Sequence, residues 1–98
     1  MAIRSFRGRG TEDINYARRS KASLRVLAAE LHERARIKLA RLHAAESLDD
    51  LATLPGSRLE KLRGDREGSW SIRINDQYRI CFQWGDLGAE DVEIVDYH

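Results

Sequence analysis

The last three residues of the sequence, Asp96, Tyr97 and His98, put a carboxylate, a phenol and an imidazole in a row. An imidazole near its ordinary pKa of about 6.5 gives or takes a proton at neutral pH, and a neighbouring phenol or carboxylate can orient it. Arg73 and Arg79 lie in two segments that alternate apolar with polar residues. A guanidinium holds a phosphate and stabilises charge developing on it. These groups together suit phosphodiester cleavage. One removes a 2′-hydroxyl proton, an arginine holds the phosphate, and another protonates the leaving 5′-oxygen. The sequence has no motif with metal-ligand spacing, so the expected reaction needs no metal, and the 2′-hydroxyl makes RNA the substrate. Taken alone, the tripeptide fits an ordinary strand end better than a site.

Pro55-Gly56 divides helical periodicity from period-two alternation, which reads as an α+β chain. Residues 2–6 suit a short strand, and Thr11 suits the cap of a helix reaching about Arg19. Ser20 suits the cap of a longer helix, from about Lys21 to Ala45. In that helix Leu24, Leu27, Leu31, Ala35, Leu39 and Leu42 form one stripe. Ser47-Leu48-Asp49-Asp50 resembles a capping box. Ser57–Leu62 is a weak strand candidate, followed by strands around Trp70–Ile74, Tyr78–Trp84 and Val92–Val95.

Keeping apolar residues on one face requires Ile74 opposite Tyr78, Ile72 opposite Ile80 and Trp70 opposite Phe82. The turn is then Asn75-Asp76-Gln77, and Arg73 stands directly across from Arg79. Like charges in that position repel, so an anion, or Glu93 from the next strand, is expected between them. Matching Ile80 to Ile94 and Phe82 to Val92 adds Glu93 and Tyr97 to the arginine face. The apolar face takes the long helix. His32 and His43 read as helix-surface residues, Trp70, Phe82 and Trp84 as core, and Cys81 as inert.

Ninety-eight residues with 42% apolar and 34% charged content read as one soluble domain with a modest core. A single cysteine excludes an internal disulfide framework and a cysteine-cluster zinc site. No apolar run approaches the roughly 18 residues of a membrane helix, and the start does not resemble a signal peptide. A cytoplasmic protein is expected. Residues 1–49 carry eleven Lys and Arg against six Asp and Glu, and residues 50–98 carry six against ten. The basic helical face (Arg18, Arg19, Lys21, Arg25, Arg34, Arg36, Lys38, Arg41) suits RNA as a salt-sensitive patch. It equally suits an ordinary solvated helix with pairs such as Glu30 with Arg34.

Several segments carry a family resemblance: Ile3-Arg4-Ser5-Phe6, Leu62 through Ile72, Tyr78-Arg79-Ile80-Cys81-Phe82, and the closing Asp96-Tyr97-His98. In this order and spacing the chain resembles the HigB toxins, the plasmid maintenance killer branch of the RelE/ParE superfamily. The resemblance spans residues 1–98 and implies a single RelE/ParE-like toxin domain. Its fold would be an N-terminal strand and helices packed on one face of a small antiparallel sheet. It implies the toxin of a type II toxin–antitoxin pair, an endoribonuclease that cuts mRNA in the ribosomal A site of the 30S subunit and stops translation. No cofactor and no membrane are implied. The implied partner is a helix-turn-helix, HigA-like antitoxin, with operator DNA reached only through it.

Residue by residue, the resemblance makes Asp96, Tyr97 and His98 the acid–base end and Arg79 the strand arginine. Arg63 falls where the family usually has lysine, and Lys61 is either a solvated residue or a phosphate contact. Arg73, Arg63 and Lys61 are the expected phosphate-binding residues. Glu60 stands where relatives often carry a histidine. Either Glu60 serves as a base, or His98 and Tyr97 carry the proton transfers alone, or the enzyme is slower. A carboxylate donates no proton at pH 7 unless its pKa is raised. Other readings share the fold: a ParE-like toxin that targets gyrase by protein contacts, a non-catalytic RNA- or protein-binding module, and a degenerate toxin that binds antitoxin but cuts poorly.

Overall fold

Serine caps start two of the four helices among the described residues, which are residues 2–96 of the computed structural model. The helices are α1 (Arg9–Asn15), α2 (Lys21–Val26), α3 (His32–Ala44) and α4 (Leu48–Ala52). Ser20 Oγ accepts from the Ser23 amide at 3.0 Å, and Ser23 Oγ accepts from the Ser20 amide at 2.9 Å. Ser47 and Asp50 make the same reciprocal pair at the head of α4, as their spacing predicts. α1 differs from expectation. It begins at Arg9 without a side-chain cap, and Thr11 lies buried inside it.

The expected helix from Lys21 to Ala45 is broken. Leu27 is extended (φ −155°, ψ 140°), a 3-10 turn covers Ala29–Leu31, and α3 starts afresh at His32. The two halves of the stripe are used differently, α2 packing on α1 and α3 on both α1 and the sheet. Leu24, at one end of the stripe, is left 47% exposed. His32 is buried rather than on the surface, and its Nε2 donates to the Leu27 carbonyl at 2.8 Å. That bond satisfies one of the carbonyls the break would otherwise orphan. His43 is exposed, and its Nδ1 accepts from the Ile3 amide at 3.3 Å. The α1–α2 packing is joined by Asp13, whose buried carboxylate accepts from Ser20 Oγ at 2.6 Å.

Five strands form one sheet in the order β1-β5-β4-β3-β2. They are β1 (Ala2–Ile3), β2 (Glu60–Lys61), β3 (Ser69–Arg73), β4 (Tyr78–Gly85) and β5 (Gly88–Asp96). The sheet is antiparallel except for β1, which pairs with β5 in parallel. The β3–β4 register is the one alternation dictates, with Trp70 opposite Phe82, Ile72 opposite Ile80 and Arg73 opposite Arg79. Asn75 Oδ1 closes the turn by accepting from the amides of Gln77 (2.9 Å) and Tyr78 (2.8 Å). Ile80 stands opposite Ile94, but a bulge follows, so that Asp91 and Val92 together span the place of Phe82. Asp91 takes the extra turn with φ +52°.

β1 is too short to cover β5. Beyond it, the Ser5 carbonyl accepts from the Val92 amide at 3.0 Å, Ser5 Oγ from the Asp91 amide at 2.9 Å, and Thr11 Oγ1 from the Ile94 amide at 3.0 Å. These contacts close an edge that would otherwise expose unpaired amides. On one sheet face Ile72, Ile74, Ile80, Phe82 and Ile94 meet Ile14, Leu27, Leu39, Leu42 and Leu51 in one buried cluster. Trp70 and Trp84 pack at its margin, Trp84 edge-on to Phe82 with ring centroids 6.3 Å apart. Among the described residues no helix is long and apolar enough to cross a membrane.

The α1–α2 contact has no spare room. A Cβ on Gly10 would lie 2.3 Å from Val26 Cγ2 and 2.6 Å from the Ala22 carbonyl oxygen. Alanine for glycine inside a helix normally stabilises by up to about 1 kcal/mol. Here the clash dominates, and Gly10→Ala is expected to lower the unfolding free energy by about 1–3 kcal/mol in urea titrations. A stabilised variant would show that the two helices separate easily.

Candidate active-site cleft

The sheet face away from the helices is built from the polar positions of the alternating strands. Glu60 pairs with Ser71, Ser71 with Cys81 and Cys81 with Glu93, making one row across β2, β3, β4 and β5. Arg73, Arg79 and Val95 form the next row. A cleft of about 230 Å³ opens at this end of the sheet, lined by Arg58, Glu60, Arg73, Asn75, Asp76 and Arg79.

Arg79 is 7% exposed, which is unusual for an arginine, and its guanidinium is held from several sides. Nε donates to Ser71 Oγ at 2.7 Å, and Nη2 donates to the carbonyls of Ser71 and Arg58. Nη1 lies 3.1 Å from Glu60 Oε2. Arg58 adopts φ +45°, a left-handed conformation uncommon outside glycine, and its carbonyl is one of the acceptors. Arg73 is more open and pairs with Asp76 across the turn. The repulsion expected between the two arginines is thus relieved by separate carboxylates. Glu93, the protein residue expected between them, instead pairs with Arg66 at 3.2 Å. Glu93 and Glu60 stand at opposite ends of one row, Glu93 on β5 and Glu60 on β2, and it is Glu60 that reaches Arg79.

Of the remaining sequence-predicted residues, Asp96 stands opposite Tyr78, one position from the row of Arg79, and accepts from Gln77 Nε2 at 3.0 Å. It therefore marks the same end of the sheet as the cleft. Tyr97 and His98 lie outside the described residues. Lys61 and Arg63 are exposed and do not line the cleft. Lys61 Nζ sits 5.8 Å from the centre of the Trp70 ring, a cation–π distance. Ser71, Arg58 and Asp76 were not singled out in the sequence. For Ser71 the signal was available, since it lies two residues before Arg73 and alternation puts both on one face. Among the described residues no group of three or more His, Cys, Asp or Glu is arranged to hold a metal ion.

The cleft borders a basic part of α3. The Lys38 ammonium is pushed below its ordinary pKa, mainly by burial and then by the charges of Arg41, Arg34 and Arg73.

These features can be set beside known proteins. The family model described as "RelE-like toxin of type II toxin-antitoxin system HigB" matches residues 15–98. The chain belongs to the HigB-like toxin family. It is 51% identical over 49 residues to Toxin HigB-1 of Vibrio cholerae, across 50% of this chain and 52% of that protein. It is 37% identical over 60 residues to Endoribonuclease HigB of Proteus vulgaris, across 59% of this chain and 65% of that protein. The matches therefore span between half and two thirds of these relatives' lengths. Among solved structures the fold is that of a YoeB-YefM complex from Staphylococcus aureus (TM-score 0.60, 17% identity, 100% of this chain and 99% of that one). A YoeB/ParE toxin from Agrobacterium tumefaciens is equally similar (TM-score 0.59, 16% identity, 100% of both chains).

Cys81 sits in the same face but is 2% exposed. Burial pushes its thiol above the ordinary value, with Glu93 acting in the same direction and Arg66 and Arg79 opposing. A raised pKa leaves less thiolate at pH 8, and the thiolate is the reactive form. Native protein at pH 8 is expected to react with iodoacetamide far more slowly than urea-unfolded protein, followed by intact-mass spectrometry. Equal rates would show that the face opens freely.

Proposed function

We propose that residues 1–98 act as one toxin domain of a type II toxin–antitoxin pair, an endoribonuclease that cuts mRNA on the translating ribosome without a metal ion. The observation that carries this reading is the fixed, nearly buried Arg79 guanidinium facing a cleft at the end of the strand that leads into Asp96-Tyr97-His98. A guanidinium locked by its neighbours is pre-oriented, so charge developing on a bound phosphate meets a donor that need not reorganise. Arg73 is a second cation at the same cleft, and Lys38, Arg34 and Arg41 extend positive charge along α3.

The 2′-hydroxyl gives its proton to the Asp96-Tyr97 pair as its oxygen attacks the adjacent phosphorus. Arg79 stabilises the added negative charge, and the P–O5′ bond breaks as His98 protonates the leaving oxygen. The products are a 2′,3′-cyclic phosphate and a free 5′-hydroxyl. Tyr97 and Asp96 also orient the imidazole. Lys61 and Arg63, outside the cleft, serve the flanking RNA.

The cleft has few groups and little enclosure. Much of the barrier must therefore be overcome by placing the 2′-oxygen in line with the scissile bond, and the ribosome can impose that geometry on a codon. The toxin acts in the cytoplasm and is held in check by a helix-turn-helix antitoxin, through which alone operator DNA is reached. The name Endoribonuclease HigB, carried by the Proteus vulgaris relative, supports the same chemistry.

Primer extension on an mRNA incubated with the protein, with and without translating ribosomes, tests the proposal. Codon-phased cuts are expected only with ribosomes. His98→Ala and Arg79→Lys are each expected to reduce cleavage by about 100- to 10,000-fold while circular dichroism stays native. The lysine keeps the charge but loses the fork of donors. Growth arrest that survives both substitutions, without mRNA cuts, would favour a toxin acting by protein contacts.

A further inference from the structure

Two of the three arginines that line the cleft, Arg73 and Arg79, are already engaged by carboxylates on its rim. We propose that Glu60 is an internal stand-in for the substrate phosphate, a positioning residue that the RNA backbone must displace from Arg79. The inference rests on the phosphodiester reading of the cleft and assigns Glu60 a part in setting affinity rather than in proton transfer.

Among the described residues, the partners of Arg79 are of two kinds. Ser71 Oγ and the carbonyls of Ser71 and Arg58 are fixed by the sheet and the adjoining backbone. Glu60 is different. Its side chain is 52% exposed, it lies on a two-residue edge strand, and its carboxylate reaches Nη1 from the cleft side at 3.1 Å. A phosphate oxygen would meet the same Nη1 at about this distance. A nearly buried guanidinium left without an anion is costly, so an empty cleft needs a counter-charge. The half-exposed Glu60 carboxylate returns to water readily, so the exchange with a phosphate costs little. Arg73 repeats the arrangement with Asp76, whose side chain is 97% exposed. Two rim carboxylates thus cover two of the cleft's three arginines and offset part of its positive charge until a polyanion replaces them.

The test uses the full chain and a fluorescent single-stranded oligonucleotide with deoxyribose at every position, which cannot be cleaved through a 2′-hydroxyl. Fluorescence anisotropy gives its affinity across a salt series. Glu60→Gln is expected to bind about three- to tenfold more tightly than the unaltered protein. The phosphate reaches Arg79 in both proteins, so the slope of log K against log salt should stay the same. Glu60→Ala should also bind more tightly with an unchanged slope, and thermal melting checks that both variants are folded. Damage to the fold would weaken binding, so a gain in affinity is not a structural artefact.

Equal or weaker binding by both variants overturns the inference, as does the absence of measurable binding by any of the proteins. Unchanged affinity with a 100-fold loss of ribosomal cleavage overturns it too, and would make Glu60 a proton-transfer group. Tighter binding by Glu60→Gln in a protein that makes no codon-phased cuts would uphold the role of Glu60 and refute the nuclease reading.

Discussion

A cation that is nearly withdrawn from water governs this face of the molecule. Burying a guanidinium costs several kcal/mol unless its donors find acceptors, and the surroundings of Arg79 answer that requirement piece by piece. Ser71 lies beside it because alternation on β3 and β4 leaves only polar positions on this face. The backbone at Arg58 bends into a left-handed conformation and presents its carbonyl. β2, only two residues long, brings Glu60 to the same guanidinium. Removing any of these acceptors would leave the charge less compensated, so the short β2 edge and the chain before it are tied to the centre of the sheet.

The opposite face obeys a simpler rule. Its residues are apolar, and α1, α2, α3 and α4 supply a matching apolar surface. The break at Leu27 turns α2 onto α1, while α3 packs on both α1 and the sheet. The sheet therefore separates two environments about one layer apart, a dry core and a charged cleft, with consecutive residues of β4 serving each in turn.

Much of this was legible in the sequence. Arg73 opposite Arg79 followed from the requirement that Ile72, Ile80, Trp70 and Phe82 share a face, a constraint that allows one register. The two capping boxes were legible because hydroxyl-to-amide reciprocity acts over three residues. What escaped was non-local. The break at Leu27 leaves spacings of three and four intact, so periodicity does not reveal it, and no glycine or proline marks it. The burial of His32 follows from that break. The parallel pairing of β1 with β5 and the bulge at Asp91 depend on residues some 86 positions apart. The pairing of Glu60 with Arg79, rather than Glu93 between the two arginines, depends on which strand lies at the sheet edge, and alternation within a strand does not specify edges.

The way β5 is enclosed has a kinetic side. It is the last strand in the sequence, yet it lies inside the sheet between β1 and β4. Contacts of such long sequence separation form slowly, because the intervening loop must close before they repay its entropy. During synthesis, residues 2–11 have no edge to join until residues 88–96 have been made. The cleft end of the sheet, marked by Asp96, is therefore assembled only once β5 has been made. A nascent chain carries its arginines before it carries the strand that completes their setting.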